Sequence, residues 1–206
     1  MSLWMLIPLF IFWLAVVVFL RAYRIWLFYY IVGAVGAAYW LALVAGDLLQ
    51  LESVLAHSVA LAVHAITQLF AIPTRVFNGA PGVLLVLVIR QTEASWTVLQ
   101  IGVESSGLLE SSVLASLLLF YPTWSLRQRG VAILIGLLAT WLANILRLLV
   151  IVIILHQFGK ESLVLAHTFI GKIVFFLLTI GIYRSLITLP TIRQLAQRQL
   201  RMRQPA

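Results

Sequence analysis

A chain of 206 residues with 63% apolar against 10% charged residues and a mean hydropathy of +1.10 cannot surround itself with the polar surface of a water-soluble domain, so most of its helices must face lipid. At about 20 residues per crossing, the length holds about five or six transmembrane helices in one membrane domain and leaves little for a soluble one. The net charge of +8 would suit nucleic acid, but its densest cluster, Arg193, Arg198, Arg201 and Arg203, follows the last apolar stretch, where membrane topology explains it; zero cysteines exclude disulfides and thiolate metal sites.

In chain order, residues 3–46 read as two N-terminal spans. The run from Leu3 to Leu20 stops at Arg21 and Arg24 and has no small-residue cleavage site, so it is a retained helix rather than a signal peptide. Ile25 to Gly46 follows, with Gly33, Ala34, Gly36, Ala37 and Ala38 forming a small-residue surface for close helix contact. Residues 48–72 form a helix carrying Ser53, His57, His64, Thr67 and Gln68, a polar stripe that lies either in the membrane interface or against the bundle. His57 and His64 share a face but stand about 10 Å apart along the axis, too far to hold one ion, so no metal site is expected.

Pro73, Asn78, Gly79, Pro81 and Gly82 then break the helical period. Residues 83–103 hold two short runs, Val83 to Ile89 and Trp96 to Val103, joined by a polar turn that includes Thr92, and these predict a short extracytoplasmic β-hairpin. Residues 105–189 supply three further spans, Leu108 to Tyr121, Val131 to Leu155 and Ser162 to Leu189, and residues 190–206 form a basic tail. Arg127, Arg129 and that tail lie on one side if two spans separate them, which the positive-inside rule makes cytoplasmic. The expectation is therefore an all-α multi-pass bundle of the cell membrane, with lipid as a partner, no nucleic acid and no cofactor.

Three polar signatures interrupt the apolar second half: Glu104-Ser105-Ser106-Gly107, Asn144-Ile145-Leu146-Arg147 and Ala166-His167-Thr168. An arginine and a histidine within hydrocarbon-length helices are costly to keep there and point to function. Arg147 lies about 13 Å from His156 along its helix and His167 about 9 Å from Glu161, which puts both, with Ser105 at the mouth of its own helix, in the outer part of the bundle. Asn144, one turn from Arg147, is placed to hold the guanidinium through its amide oxygen, and Glu110 is a candidate ion partner for Arg147 or Lys172.

The order of a polar-striped helix, a Gly/Pro break, short strands, Glu104-Ser105-Ser106-Gly107, Asn144-x-x-Arg147 and His167 early on the last span resembles the exosortase/archaeosortase family, and its compact Gram-positive members in particular. The likeness runs from about Leu48 to Tyr183. It implies a membrane protease or transpeptidase that acts by acyl transfer on membrane-anchored protein substrates with a C-terminal sorting signal, with an extracytoplasmic active site. The catalytic positions would be Ser105, Arg147 and His167, supported by Glu104, Asn144 and Glu110. The family has cysteine where this chain has Ser105. A hydroxyl needs a base to remove its proton during attack, whereas a thiol is partly ionised at neutral pH. Three explanations fit: a Cys-to-Ser form that is inactive, a native serine enzyme, or a pseudoenzyme.

Other readings stay open beside this one. Ser105 and Ser106 can serve as helix caps. A Ser/His intramembrane hydrolase of rhomboid type also places Ser at a helix start, although Glu104 precedes it here and Arg147 has no part in that dyad. A non-catalytic assembly or transport subunit would use Arg147, Glu110 and Lys172 as a buried polar network. The topology is directly testable: single cysteines at Thr92 and His156 should react with an impermeant thiol reagent in whole cells, and one at Gln204 should not. Labelling at Gln204 alone would invert the orientation.

Overall fold

The computed structural model describes residues 3–78, 84–90, 95–101, 103–121, 124–192 and 196. The chain is mostly helical, and three helices are long and apolar enough to cross a membrane: Trp26–Leu48, Leu126–Phe158 and Lys160–Ile192. Their outward faces carry large apolar side chains such as Leu27, Phe28, Leu134, Leu138, Phe176 and Leu177. That surface is compatible with lipid as the surrounding medium.

Helices α1 (Leu3–Ala22) and α2 (Trp26–Leu43) form an antiparallel pair joined by a tight turn at Arg24, and α2 continues as a π turn over Val44–Leu48. The small-residue face works as its composition suggests, with Gly33, Ala34 and Ala37 buried. The indole of Trp13 lies against Gly36 and donates to the Val32 carbonyl at 3.0 Å. Helix α5 (Leu108–Leu119) runs antiparallel to α2: Phe120, just past its end, touches Tyr29 with ring centroids 5.5 Å apart, while Leu108, at its start, approaches Gly46.

Helix α6 (Leu126–Phe158) is the central post. It opens with a capping box in which the Ser125 hydroxyl accepts from the Gln128 amide and the Gln128 carbonyl oxygen accepts from the Ser125 amide. Arg129 then donates to the carbonyls of Leu119 (2.7 Å) and Trp124 (3.1 Å), closing the end of α5. Because α2 and α5 are antiparallel, the Arg21–Arg24 turn comes to the same end as Arg127 and Arg129. On its other half, α6 presents Leu148, Ile151, Val152 and Leu155 to Ala56, Val59, Ala60 and Val63 of α3 (Leu51–Leu69), the main core. A smaller core joins Leu114 and Leu118 of α5 to Ala132.

Strands β1 (Thr74–Asn78), β2 (Leu84–Arg90) and β3 (Ser95–Ile101) form an antiparallel sheet in the order β1-β2-β3, with Thr74 opposite Val88 and Arg90 opposite Ser95. β1 was not anticipated, because Pro73 and Asn78 bracket it and read as breakers. Thr74 is what ties it down: its hydroxyl meets Nδ1 of His64 and the hydroxyl of Thr67, each at 2.8 Å. The polar stripe of α3 therefore divides, with Thr67 buried against the sheet and Ser53, His57 and Gln68 exposed. The turn at 91–94, the break at 79–83 and the Arg193–Arg203 part of the tail lie outside the described residues.

The span expected over Leu108 to Tyr121 is corrected by the structure. α5 has 12 residues, about 18 Å of helix, well short of a hydrocarbon core about 30 Å thick. Gly107, with φ +78°, ends the helical path before it can lengthen.

A Cβ at Gly33 would overlap the ring of Phe120. Gly33→Leu should therefore lower stability by about 1–3 kcal/mol, read as a lower unfolding midpoint in detergent. Val35→Leu, on the exposed face of the same helix, should leave the midpoint unchanged. Equal midpoints for both variants would refute the close α2–α5 approach.

Candidate functional site

β3 ends at Ile101, and a single helical turn, α4 (Val103–Ser106), carries Ser105. The turn stops at Gly107, and α5 starts again at Leu108, whose amide donates to the Ser106 hydroxyl at 3.2 Å. Ser106 thus helps cap the new helix, while Ser105 belongs to the turn before it. Ser105 therefore does not stand at the mouth of α5 itself, because the left-handed Gly107 separates the two.

Asn144 fixes this turn. Its Nδ2 donates to the Ser105 carbonyl at 2.6 Å, and the same amide lies over Gly107, where an added Cβ would stand 3.4 Å from it. Its Oδ1 is buried without a hydrogen bond to protein. The expected role of Asn144, holding the Arg147 guanidinium through that oxygen, is therefore replaced by a grip on the Ser105 backbone. Reversing the amide would set oxygen against oxygen, so the orientation follows from chemistry. Asn144 is about 18 Å along α6 from His156, so Ser105 meets α6 near its middle, deeper than the outer mouth that sequence spacing suggested. Ser105 is only 3% exposed and Ser106 2%.

Arg147, 5% exposed, lies one turn further along α6. Its guanidinium carbon sits 5.5 Å from the ring centre of Phe175 on α7 (Gly171–Tyr183), a cation–π contact. Gly171 keys α7 to the same helix, since a Cβ there would stand 2.7 Å from Ile151 Cδ1. His167, half-buried, lies just before α7 in a π-helical stretch, Leu165–Ile170, whose Ala166 enters the main core. Such an extra residue in a turn re-aims side chains and is common at functional sites.

A cavity of about 770 Å³ opens between α5, α6 and α7, with Glu110, Arg147, Lys172 and Phe175 on its wall. Glu110 Oε2 is buried there without a hydrogen bond. The structure thus brings Ser105 and Asn144 together beside Arg147, and Glu110, Arg147 and Lys172 around one cavity; Ser105 and His167 are not on that cavity wall. The side chain of Glu104 lies outside the described residues. Among the described residues, no group of three His, Asp or Glu could hold a metal ion.

Phe175 was not among the residues singled out from the sequence. Its position two turns beyond His167 was the available signal, but nothing in the spacing said that Arg147 would face it. No protein-family model, curated protein or solved structure matches the chain.

Asn144→Leu keeps the volume but leaves the buried Ser105 carbonyl without its donor. It should cost about 1–3 kcal/mol and loosen the Ser105 turn, seen as a lower unfolding midpoint and faster amide exchange at 105–107. Unchanged exchange in those residues would remove Asn144 as their anchor.

Proposed function

We propose that the chain is a membrane-embedded, exosortase-like protease or transpeptidase that processes C-terminal sorting signals of surface proteins by acyl transfer, and that Ser105 in place of cysteine makes this form inactive. The observation that carries the reading is the 2.6 Å bond from Asn144 to the Ser105 carbonyl, which joins the first two signatures of the resemblance beside the buried Arg147. Five helical passages through or into the bilayer fit it: α1, α2, the short α5, α6 and the Lys160–Ile192 run. The shared end of Arg21, Arg24, Arg127 and Arg129 then faces the cytoplasm, with chemistry directed to the opposite side.

In this mechanism the side chain at 105 attacks the scissile carbonyl carbon. The C–N bond breaks, the C-terminal fragment leaves as an amine, and an acyl-enzyme remains. His167 takes the proton of the nucleophile and returns it to the leaving nitrogen, and Arg147 stabilises the oxyanion. Water or an acceptor amine then releases the acyl group. A thiol at 105 gives up its proton far more readily than a hydroxyl.

The burial of Ser105 near mid-helix favours a second reading, an intramembrane Ser/His hydrolase. A polar cavity shared by Glu110, Arg147 and Lys172 would equally suit a silent assembly or transport subunit.

Ser105→Cys should gain cleavage of a membrane substrate with a C-terminal motif, span and basic tail by about two orders of magnitude or more, and adding His167→Ala should abolish the gain. Arg147→Lys, which keeps the charge but loses the planar fork, should lower turnover of the Cys form while the protein still folds. Equal turnover by the Ser and Cys forms would establish a serine hydrolase instead. Absence of cleavage and of acyl adduct in both would leave the silent subunit.

A further inference from the structure

The basic end of the molecule holds a second cavity, of about 660 Å³, between the start of α6 and the final helical turns. Its rim is polar, with Arg127 and Gln128 on one wall and Ser185 on the other, and its floor is apolar, with Val131, Ile135 and Leu186. These two characters are ordered along the helix axis. Val131 lies about 6 Å and Ile135 about 12 Å further along α6 than Arg127, and both are more than half exposed within the groove and beside it. The apolar run of α6 begins at Val131, so Arg127 stands at headgroup level and the floor at acyl level.

Charge is uncompensated here. Both walls come from stretches 111–160 and 162–206, which contain no aspartate or glutamate. Arg129, the neighbouring cation, is committed to the Leu119 and Trp124 carbonyls, whereas Arg127 is exposed at the rim. Arg184, beside Ser185, is exposed as well. A cationic rim over an apolar slot in a membrane-length bundle complements a molecule with an anionic head and an acyl chain.

We infer that this groove is a binding site for an anionic glycerophospholipid, with the phosphate on Arg127 and one acyl chain along Val131, Ile135 and Leu186. The inference rests on the membrane reading of the chain but not on any catalytic role for Ser105. It adds a structural lipid at the end of the molecule remote from the Ser105 turn, bridging the start of α6 and the last helix.

Native mass spectrometry of the detergent-purified full chain titrated with phosphatidylglycerol tests it. One retained phosphatidylglycerol is expected per chain, with phosphatidylcholine held more weakly. Arg127→Gln should weaken retention about five-fold, and Val131→Trp, which fills the slot, should weaken it at least as much. Arg24→Gln, an exposed arginine at the same end but outside the groove, should leave it unchanged. Equal retention of phosphatidylcholine, or an equal loss in Arg24→Gln, would overturn the site as a selective one. Displacement of the lipid by equimolar inorganic phosphate would reassign it to a free anion. Because binding is read directly, failure here leaves the acyl-transfer reading untouched, and loss of that reading leaves the lipid site standing.

Discussion

The amide of Asn144 on the carbonyl of Ser105 is the contact on which the rest of the arrangement depends. Buried away from water, a carbonyl at the end of a broken helix must find a donor within the protein. A fully buried asparagine on the central helix supplies it, and so a sheet-to-helix turn can end against the middle of α6. Gly107 completes the device, because a residue without a Cβ takes its left-handed backbone without strain beneath the asparagine side chain.

Everything above that turn follows from the short α5. A helix of 12 residues lies beside only the near half of α6, and α3 with the three-stranded sheet packs on the far half. This accounts for the two separate cores. One joins α3 to the far half of α6, and the other joins α5 to the near half. Trp141 lies near the division, where its indole reaches across to the Ser58 hydroxyl at 3.0 Å. A buried Arg147 is tolerable at this junction because the Phe175 ring faces its guanidinium and the adjoining cavity carries the carboxylate of Glu110.

Much of the helical layout was legible because lipid exposure and hydrophobic length are properties of local sequence. The small-residue face around Gly33 announces itself, whereas the capped start of α6 at Ser125 lies before Val131, where the apolar run begins, and was missed. The length of α5 did not, since the mostly apolar run from Leu108 to Tyr121 has no start signal of its own and only the tertiary grip on residues 105–107 shows where it begins. β1 was hidden for a similar reason: five residues between Pro73 and Gly79 carry little periodicity, and their pairing depends on His64 and Thr67 ten and seven residues before Thr74. Of the site, the residue types were readable and the partnerships were not. Asn144 bonds Ser105 rather than Arg147, the neighbour its spacing suggests, because position along a helix does not say which atom of an amide will be used.

The π-helical stretch at Leu165–Ile170 has a consequence for how this chain can change over generations. It holds one residue more than an α-helix of the same rise requires, so it is a place where a single residue can be removed and the turn can close into an ordinary helix. The positions that follow would keep their azimuth, with Gly171 still against Ile151 and Phe175 still facing Arg147. Removing a residue between Gly171 and Tyr183 would instead rotate the helix beyond it by about 100°, as far as the second π stretch at Arg184–Thr188. Length variation in the last helix should therefore be concentrated in these two stretches, and the aim of His167 can be reset in the first without rebuilding the bundle.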